Sequence, residues 1–242
     1  MEQVIKGKVQ GKRLAARVLS FVFVLSAGAQ FAAGQWSTVG GDSGNTRYSS
    51  LAQIDAQNVS KLGAAWVSEK VGPAPTSRSM PVVDNGLMFL TAPPFVYAVN
   101  LGTGKIAWRY SAMPAGMPAR EGVAVGEGLV FVGLSTANLV ALREETGEVV
   151  WQTYLGDPMH EPSAGASGAP LYAEGLVSIG LNADYGYRGR IVAVDAKTGH
   201  EVWHFLVVPA PGEPGSETWP KNNNAWQHGG GRSGSWARPI RS

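Results

Sequence analysis

An eleven-residue pattern occurs three times and constrains the fold of this chain more than any other feature. Each copy begins with Ala, has Thr-Gly at its sixth and seventh positions and ends in Trp. The copies are Ala98–Trp108, Ala141–Trp151 and Ala193–Trp203, and their Trp residues are 43 and 52 positions apart. One aromatic residue per unit of about forty residues is typical of propeller blades. Glycine tolerates the positive φ of a tight turn, and the Trp that follows is predicted to cover the seam between neighbouring sheets.

Each copy lies at the end of a longer unit with a constant plan, over residues 80–110, 122–155 and 169–206. Short apolar segments alternate with glycine-containing turns, which predicts four short strands per unit. The turns are Asn85-Gly86, Glu127-Gly128 and Glu174-Gly175. We therefore predict an all-β chain built from about three to four four-stranded propeller blades. Because the common rings need about four to eight blades, we expect an incomplete ring from a longer protein that is truncated or split.

The first 35 residues have the composition of an export signal. Basic residues between Lys6 and Arg17 precede the apolar segment Val18–Ala27, and Ala27-Gly28-Ala29 resembles a cleavage site. An uncleaved anchor is the alternative, although about ten strongly apolar residues are fewer than the ~20 that a membrane span needs. We expect a signal peptide over residues 1–35 and a periplasmic protein that is soluble or loosely attached to the membrane.

Charge and cysteine content exclude several classes of function. The formal net charge of +2 comes from residues 1–35, since the rest of the chain has 15 basic and 17 acidic residues. No basic and aromatic cluster of the kind that nucleic-acid binding requires is present. The chain has no Cys, which excludes disulfides, thiolate metal sites and haem attachment through cysteine.

The repeated pattern resembles the tryptophan-docking motif of the pyrroloquinoline quinone (PQQ) dehydrogenases, whose alcohol-oxidising members are eight-bladed propellers. The opening segment Trp36–Trp66 is also similar to that of the family, with its run W…G…TRYS-x-L-x-Q-I…NV-x-x-L-x-x-A-W. Taken by itself, this segment reads as a strap that leads into a first strand ending at Trp66. The resemblance extends from Trp36 to about Pro239, and we assign residues 36–242 to a partial PQQ-type propeller domain.

The resemblance implies an exported, PQQ- and calcium-dependent alcohol dehydrogenase. Such an enzyme oxidises a small alcohol by transferring hydride to the quinone and passes the electrons to a cytochrome c or a quinone. We expect this chain to be its N-terminal part, with the C-terminal half of the propeller as the missing partner. The family's catalytic Asp and its Asn metal ligand would lie beyond residue 242. No catalytic residue is therefore assigned, and the chain by itself is expected to be inactive.

The resemblance also implies which residues would hold the cofactor and the metal. Asp184 replaces a Glu calcium ligand of the family in the run that begins with Asn182 and Ala183, and Ala183 is assigned to the cofactor site. Calcium prefers oxygen ligands, so Asp is suitable although one methylene shorter. Trp236 corresponds to a Trp that stacks on PQQ, and Ser167 to a hydroxyl that binds a PQQ carboxylate. The alternatives are a turn Asp, a structural Trp and an ordinary Ser before a strand.

Several positions depart from the family. Arg78 stands where the family has a Glu that binds PQQ, and Glu121-Gly122 replaces its Arg-Gly. The adjacent cysteine pair that covers one PQQ face is absent, with Met117-Pro118-Ala119 nearby, and Leu181 replaces a small polar contact. We interpret His160, His228 and Arg188 as solvated or turn residues.

These departures leave a second hypothesis open. The outer-membrane assembly scaffolds use similar docking repeats without a cofactor and bind partner proteins through loops or strand edges. A non-enzymatic scaffold in the cell envelope is therefore the alternative function.

Overall fold

The computed structural model describes residues 36–42, 44–72, 78–157, 159, 164–182 and 188–227. Residues 1–35, which include the predicted signal peptide, lie outside this part, so that assignment stays a prediction. No helix within these ranges is both long and apolar enough to cross a bilayer. Three 3₁₀ turns are present, at Val59–Lys61, Ser216–Thr218 and Ala225–Gln227.

The predicted all-β architecture is confirmed, with three separate four-stranded antiparallel sheets in the described part of the chain. Blade 1 comprises β1 (Val82–Asp84), β2 (Leu87–Ala92), β3 (Phe95–Asn100) and β4 (Ile106–Ser111). Blade 2 comprises β5 (Ala124–Gly126), β6 (Leu129–Gly133), β7 (Asn138–Arg143) and β8 (Val149–Tyr154). Blade 3 comprises β9 (Leu171–Ala173), β10 (Leu176–Leu181), β11 (Arg190–Asp195) and β12 (Glu201–Leu206). In every blade the strands follow one another in chain order.

The first two strands of every blade are joined by the predicted glycine turn. Asn85, Glu127 and Glu174 have φ of 43°, 54° and 49°, and the glycine that follows each has φ between 73° and 80°. Two consecutive residues with positive φ are typical of the tightest hairpins. These turns fix the register of the short first strand in each blade.

The Ala that begins the repeated pattern lies directly opposite its Trp in the sheet. Ala98 pairs with Trp108, Ala141 with Trp151 and Ala193 with Trp203, and the register shifts immediately after each Ala. A small side chain opposite an indole leaves room for the ring on that face. This pairing explains why each copy of the pattern begins with Ala, a position to which the sequence alone assigned no role.

Buried side chains form two apolar layers, one on each side of blade 2. The layer between blades 1 and 2 includes Phe89, Val96 and Trp108 of blade 1. The layer between blades 2 and 3 includes Phe131 and Trp151 of blade 2. Burial of one such side chain contributes about 1.5–3 kcal/mol to stability, so these layers account for much of what holds the sheets together.

The predicted strand that ends at Trp66 is wrong. Residues 62–71 form neither helix nor strand, because no neighbouring strand in the described part of the chain pairs with them. The segment is nevertheless attached at two points. The indole nitrogen of Trp66 donates a hydrogen bond to the carbonyl of Leu101 at 2.7 Å, and the amide of Gly72 donates to the hydroxyl of Tyr97 at 3.1 Å. Trp66 therefore docks on blade 1 without belonging to a sheet.

Candidate functional site

Four chain segments meet at the end of blades 2 and 3 opposite the glycine turns. The amide of Ala119 donates to Gly133, that of Ser135 to Met117, that of Ala166 to Leu134 and that of Asn182 to Gly165, at 2.7–3.0 Å. These bonds hold residues 117–119 and 165–167 against the ends of β6 and β10. Ser167, which was assigned to the cofactor site, and Asn182, which precedes the assigned Ala183, are brought together at this end.

Ser167 is the one assigned site residue that lies in the described part of the chain. Its side chain is exposed, and its hydroxyl oxygen accepts a hydrogen bond from the side-chain amide of Asn182 at 3.3 Å. Because the amide occupies the oxygen as an acceptor, the hydroxyl hydrogen can point away from Asn182 toward another acceptor. The pair is thus arranged to donate a hydrogen bond to an anion such as a carboxylate.

The other assigned residues, Ala183, Asp184 and Trp236, lie outside the described residues, as do His160 and His228. Their assignments stay predictions. Within the described ranges, no three His, Cys, Asp or Glu side chains are grouped as a metal site would require.

The departure at Glu121 contacts the chain just after Arg78. The amide of Met80, two residues after Arg78, donates to the carbonyl of Glu121 at 3.2 Å. A Cβ on Gly122, whose φ is 129°, would lie 2.9 Å from the Met80 carbonyl oxygen. Close backbone approach therefore explains this glycine.

The Glu121 side chain determines which groups of a cofactor could lie next to it. Its Oε2 atom is buried and has no hydrogen-bond partner among the described residues. A buried carboxylate oxygen without a donor favours a cation or a hydroxyl group and disfavours a second carboxylate. The Ser167 and Asn182 pair thus suits a carboxylate of PQQ. Glu121 suits the cofactor only where a cation or a hydroxyl group faces the unpaired Oε2 atom of Glu121.

Leu181 takes no part in the site. It is 2% exposed and belongs to the apolar layer between blades 2 and 3. Nearby, Met117 is 45% exposed while Ala119 is 2% exposed, so only the first of the residues near the missing cysteine pair presents a side chain to the surface.

Arg188 does more than the predicted stabilisation of its own turn. Its Nε donates to the carbonyl of Val208 at 2.6 Å, and its two terminal nitrogens contact the two carboxylate oxygens of Glu213. The guanidinium carbon also lies 5.8 Å from the ring centre of Trp226. Hydrogen bonding from Arg188 is the main cause that lowers the pKa of Glu213 below its ordinary value, which keeps the partner ionised.

The loop after β12, residues 207–227, is held by these contacts. It forms a pocket of about 340 Å³, open to solvent on one side, whose lining includes Trp219, Pro220 and Trp226. The loop is rich in Pro and Gly, and the sequence did not single out Glu213 within it. The loop has two acidic residues, Glu213 and Glu217, and the sequence does not show which of them Arg188 contacts.

A family model described as "PQQ: Glucose/ethanol/alcohol dehydrogenase, beta-propeller domain" matches residues 36–239. Three curated relatives show how similar the chain is to individual proteins. The quinohemoprotein alcohol dehydrogenase of Comamonas testosteroni is 36% identical over 217 residues, which cover 81% of this chain and 30% of that protein. Its crystal structure superposes with a TM-score of 0.65 at 36% identity, covering 77% of this chain and 29% of that one.

The 1-butanol dehydrogenase (cytochrome c) of Thauera butanivorans is 37% identical over 203 residues, covering 79% of this chain and 28% of that protein. The dehydrogenase subunit of the alcohol dehydrogenase (quinone) of Gluconobacter oxydans is 34% identical over 236 residues, covering 84% and 30%. The chain thus spans about three-tenths of the length of each of these three relatives. With a family match over most of its length and three sheets that superpose on a solved relative, the chain belongs to the PQQ family of glucose, ethanol and alcohol dehydrogenase β-propeller domains.

Proposed function

We propose that this chain supplies three blades and part of the cofactor site of an exported PQQ- and calcium-dependent alcohol dehydrogenase. The observation that carries the proposal is the pairing of Ser167 with Asn182 at the blade ends. It leaves a hydroxyl free to donate to a cofactor carboxylate, on a chain whose family is that of the PQQ dehydrogenases.

The residues of this chain have binding roles in the proposal. Ser167 holds a carboxylate of the cofactor, with Asn182 fixing the hydroxyl oxygen. Asp184 supplies an oxygen ligand to calcium, Ala183 lines the cofactor beside it, and Trp236 stacks on the flat ring system. When bound, PQQ supplies the carbon that accepts hydride from the alcohol. No residue of this chain is assigned as the base.

The outer face of blade 3 supports a requirement for further blades. Trp203 is 44% exposed and Phe205 61% exposed, whereas the docked Trp108 is 8% exposed. Trp66, Trp108 and Trp151 each donate a hydrogen bond from the indole nitrogen to a backbone carbonyl of the blade that follows, and each ring packs against a glycine of that blade. We propose that Trp203 docks in the same way on a fourth blade, and that alcohol oxidation requires the blades beyond it.

Electron transfer completes the proposed reaction. Two relatives carry "cytochrome c" and "quinone" in their names, which supports one of these classes as the acceptor. We propose that the mature protein works in the periplasm, on the basis of residues 1–35.

A titration of the whole chain with PQQ in the presence of calcium tests the proposal, with tryptophan fluorescence as the readout. Saturable quenching that requires calcium is expected, with much weaker binding for Asp184→Ala. Unchanged binding by that variant would remove Asp184 from the site. An absence of saturable quenching would reject the cofactor role, and PQQ-dependent dye reduction by this chain alone would reject the requirement for further blades.

The scaffold alternative is favoured by one observation, the exchange of charges at Arg78 and Glu121 with a buried carboxylate oxygen left unpaired. The alternative uses the exposed Trp203 and Phe205 face to bind a partner protein. A chain that binds no PQQ but forms a stoichiometric complex with a separately supplied propeller fragment, lost in Trp203→Gln, would establish it.

A further inference from the structure

Trp66 has the same position relative to blade 1 that Trp108 has relative to blade 2. Its indole nitrogen donates to the carbonyl of Leu101, which lies three residues before Gly104, and a Cβ on Gly104 would clash with the Trp66 ring. Trp108 makes the same two contacts with blade 2. Trp66 is therefore docked in the way that the Trp of a preceding blade would be.

The sheet to which such a Trp belongs is missing around Trp66. Trp108 lies on the fourth strand of its blade, and that strand pairs with the third, which places Ala98 opposite Trp108. Residues 63–71, by contrast, make no backbone hydrogen bond to any other described residue. The backbone on either side of Trp66 thus lacks the partner strand that the docked Trp residues of blades 1 and 2 have.

The segment around Trp66 has the properties of a strand that can be added to another sheet. Leu62 is 57% exposed and Val67 is 87% exposed, so apolar side chains lie at the surface beside the unpaired backbone. No Pro interrupts residues 62–71, and every backbone N–H group there can donate to a neighbouring strand. Main-chain pairing with an extended segment of this kind is a recurring mode of protein recognition.

A second copy of this chain does not supply the missing sheet. Each sheet in the described part of the chain already has four strands. The Leu101 carbonyl of every copy also already accepts a hydrogen bond from its own Trp66. The segment therefore requires a sheet of three strands whose third strand is open, and this sheet must come from a different polypeptide segment.

We propose that residues 62–67 become the fourth strand of a further blade, whose first three strands are supplied by a partner polypeptide with the same repeats. The partner's third strand runs antiparallel to this segment and places a small residue opposite Trp66, as Ala does in blades 1 to 3. The new interface thereby continues the Trp contacts that already join the described blades. The inference does not depend on PQQ binding, because it rests only on backbone pairing and on the contacts of Trp66.

A graft within the whole chain tests whether the segment can serve as a fourth strand. The sequence of residues 64–69 replaces Glu201–Leu206, so that a Trp is kept at position 203, and a graft of residues 48–53 is the control. Hydrogen exchange of the β11 amides, which lie on the strand that pairs with β12, is the readout. The first graft should keep these amides protected, whereas the control should exchange about tenfold faster or more. Loss of protection in the first graft, or equal protection in both, would overturn the proposal.

Complex formation tests the pairing itself. The chain is coexpressed with the part of the Comamonas testosteroni relative that follows the region it matches, and the complex is isolated by size-exclusion chromatography. Successive N–H groups of an edge strand point alternately toward the partner strand and away from it, and Pro removes the N–H group. Of Ala64→Pro and Ala65→Pro, one should therefore weaken the complex about tenfold or more and the other much less. Both variants should keep the urea midpoint of the isolated chain, since residues 63–71 are unpaired there.

The outcomes separate this inference from the proposed function. If the wild-type chain forms no complex, or if both Pro variants form it as well as the wild type, residues 62–67 are not the pairing strand and the inference is overturned. Neither readout involves a cofactor. A chain that pairs in this way but fails to bind PQQ would therefore reject the proposed function and leave the inference intact.

Discussion

The indole nitrogen of Trp108 lies 2.8 Å from the backbone carbonyl oxygen of Glu144, so the last strand of blade 1 is hydrogen-bonded to a turn of blade 2. Trp66 makes the same bond to Leu101, and Trp151 makes it to Ala196. In each case the acceptor precedes the glycine of the repeated pattern by three residues. A Cβ on that glycine would come within 2.4–2.6 Å of the indole ring. The glycine is thus required by the neighbouring Trp as well as by its own turn.

Gly147→Ala should destabilise the fold through both effects. Its φ of 73° costs about 1–2 kcal/mol for a residue with a Cβ, and the clash at 2.6 Å with the Trp108 ring adds about 1–3 kcal/mol. Urea unfolding of the purified chain, followed by circular dichroism, measures the loss. Gly128→Ala is the matched control, because it has the same φ of 73° with no atom within 4 Å of its Cβ. Equal losses for the two variants would refute the packing role of Gly147.

Trp108→Phe should cost about 2–4 kcal/mol of unfolding free energy. The smaller ring leaves a cavity, and the Glu144 carbonyl loses its donor at a place where Trp108 is only 8% exposed. The same substitution at Trp203, which is 44% exposed, should change stability by no more than about 0.5 kcal/mol. Denaturation midpoints of the two variants provide the comparison. A large loss at Trp203 would show that its ring is covered.

Glu144→Gln should remove a pH dependence from stability. Glu144 is 3% exposed, and burial raises its pKa above the ordinary value of 4.5, opposed by the hydrogen bond from Asn85 and reinforced by Asp84 and Glu145. Because the folded pKa is the higher one, keeping the carboxylate ionised costs stability at neutral pH. That cost disappears as pH falls through the folded pKa toward 4.5.

Relative to the wild type, the Gln variant should therefore be more stable at about pH 7, and the difference should shrink on acidification. Urea unfolding at a series of pH values measures the slope. Glu69→Gln, an exposed change at a residue that does not act on the pKa of Glu144, serves as the control. A constant difference between Glu144→Gln and the wild type across the range would contradict the assignment.

Ser167→Ala should weaken PQQ binding about 10- to 100-fold, the usual effect of losing a hydrogen bond to a charged group. The fluorescence titration with calcium measures this change. Ser178→Ala is a suitable control in the same blade, because its hydroxyl donates to the Leu171 carbonyl at 3.5 Å in the β9 and β10 hairpin. An unaltered affinity in Ser167→Ala would mean that its hydroxyl does not face the cofactor.

The repeated pattern was sufficient to predict the sheets because each of its features acts locally. Thr-Gly marks the turn, and the alternation of apolar segments with Asn-Gly or Glu-Gly pairs marks the hairpins. The strand expected at Trp66 did not form, because a strand needs a partner and local sequence does not show whether one is present. The docking of Trp66 on Leu101 was likewise not visible, since it joins residues 35 positions apart.

The site was less predictable for the same reason. Ser167 could be assigned through the resemblance, but its contact with Asn182 depends on how the ends of two strands are bridged. Arg188 was expected to stabilise its own turn, whereas its partners lie 20 to 38 positions later, in the loop that follows β12. Only the folded chain reveals that Glu121 is hydrogen-bonded to Met80, which lies 41 positions earlier in the sequence.

The chain of indole-to-carbonyl bonds implies an order in which the blades should open. Blades 1 and 2 each receive one docked Trp and dock one of their own, so opening either breaks two junctions. Blade 3 receives Trp151, but in the described part of the chain its own Trp203 has no recipient. Where stability is a sum of nearest-neighbour couplings, the unit with fewer couplings exchanges its amide hydrogens first. The amides of β9–β12 should therefore exchange with solvent before those of β5–β8.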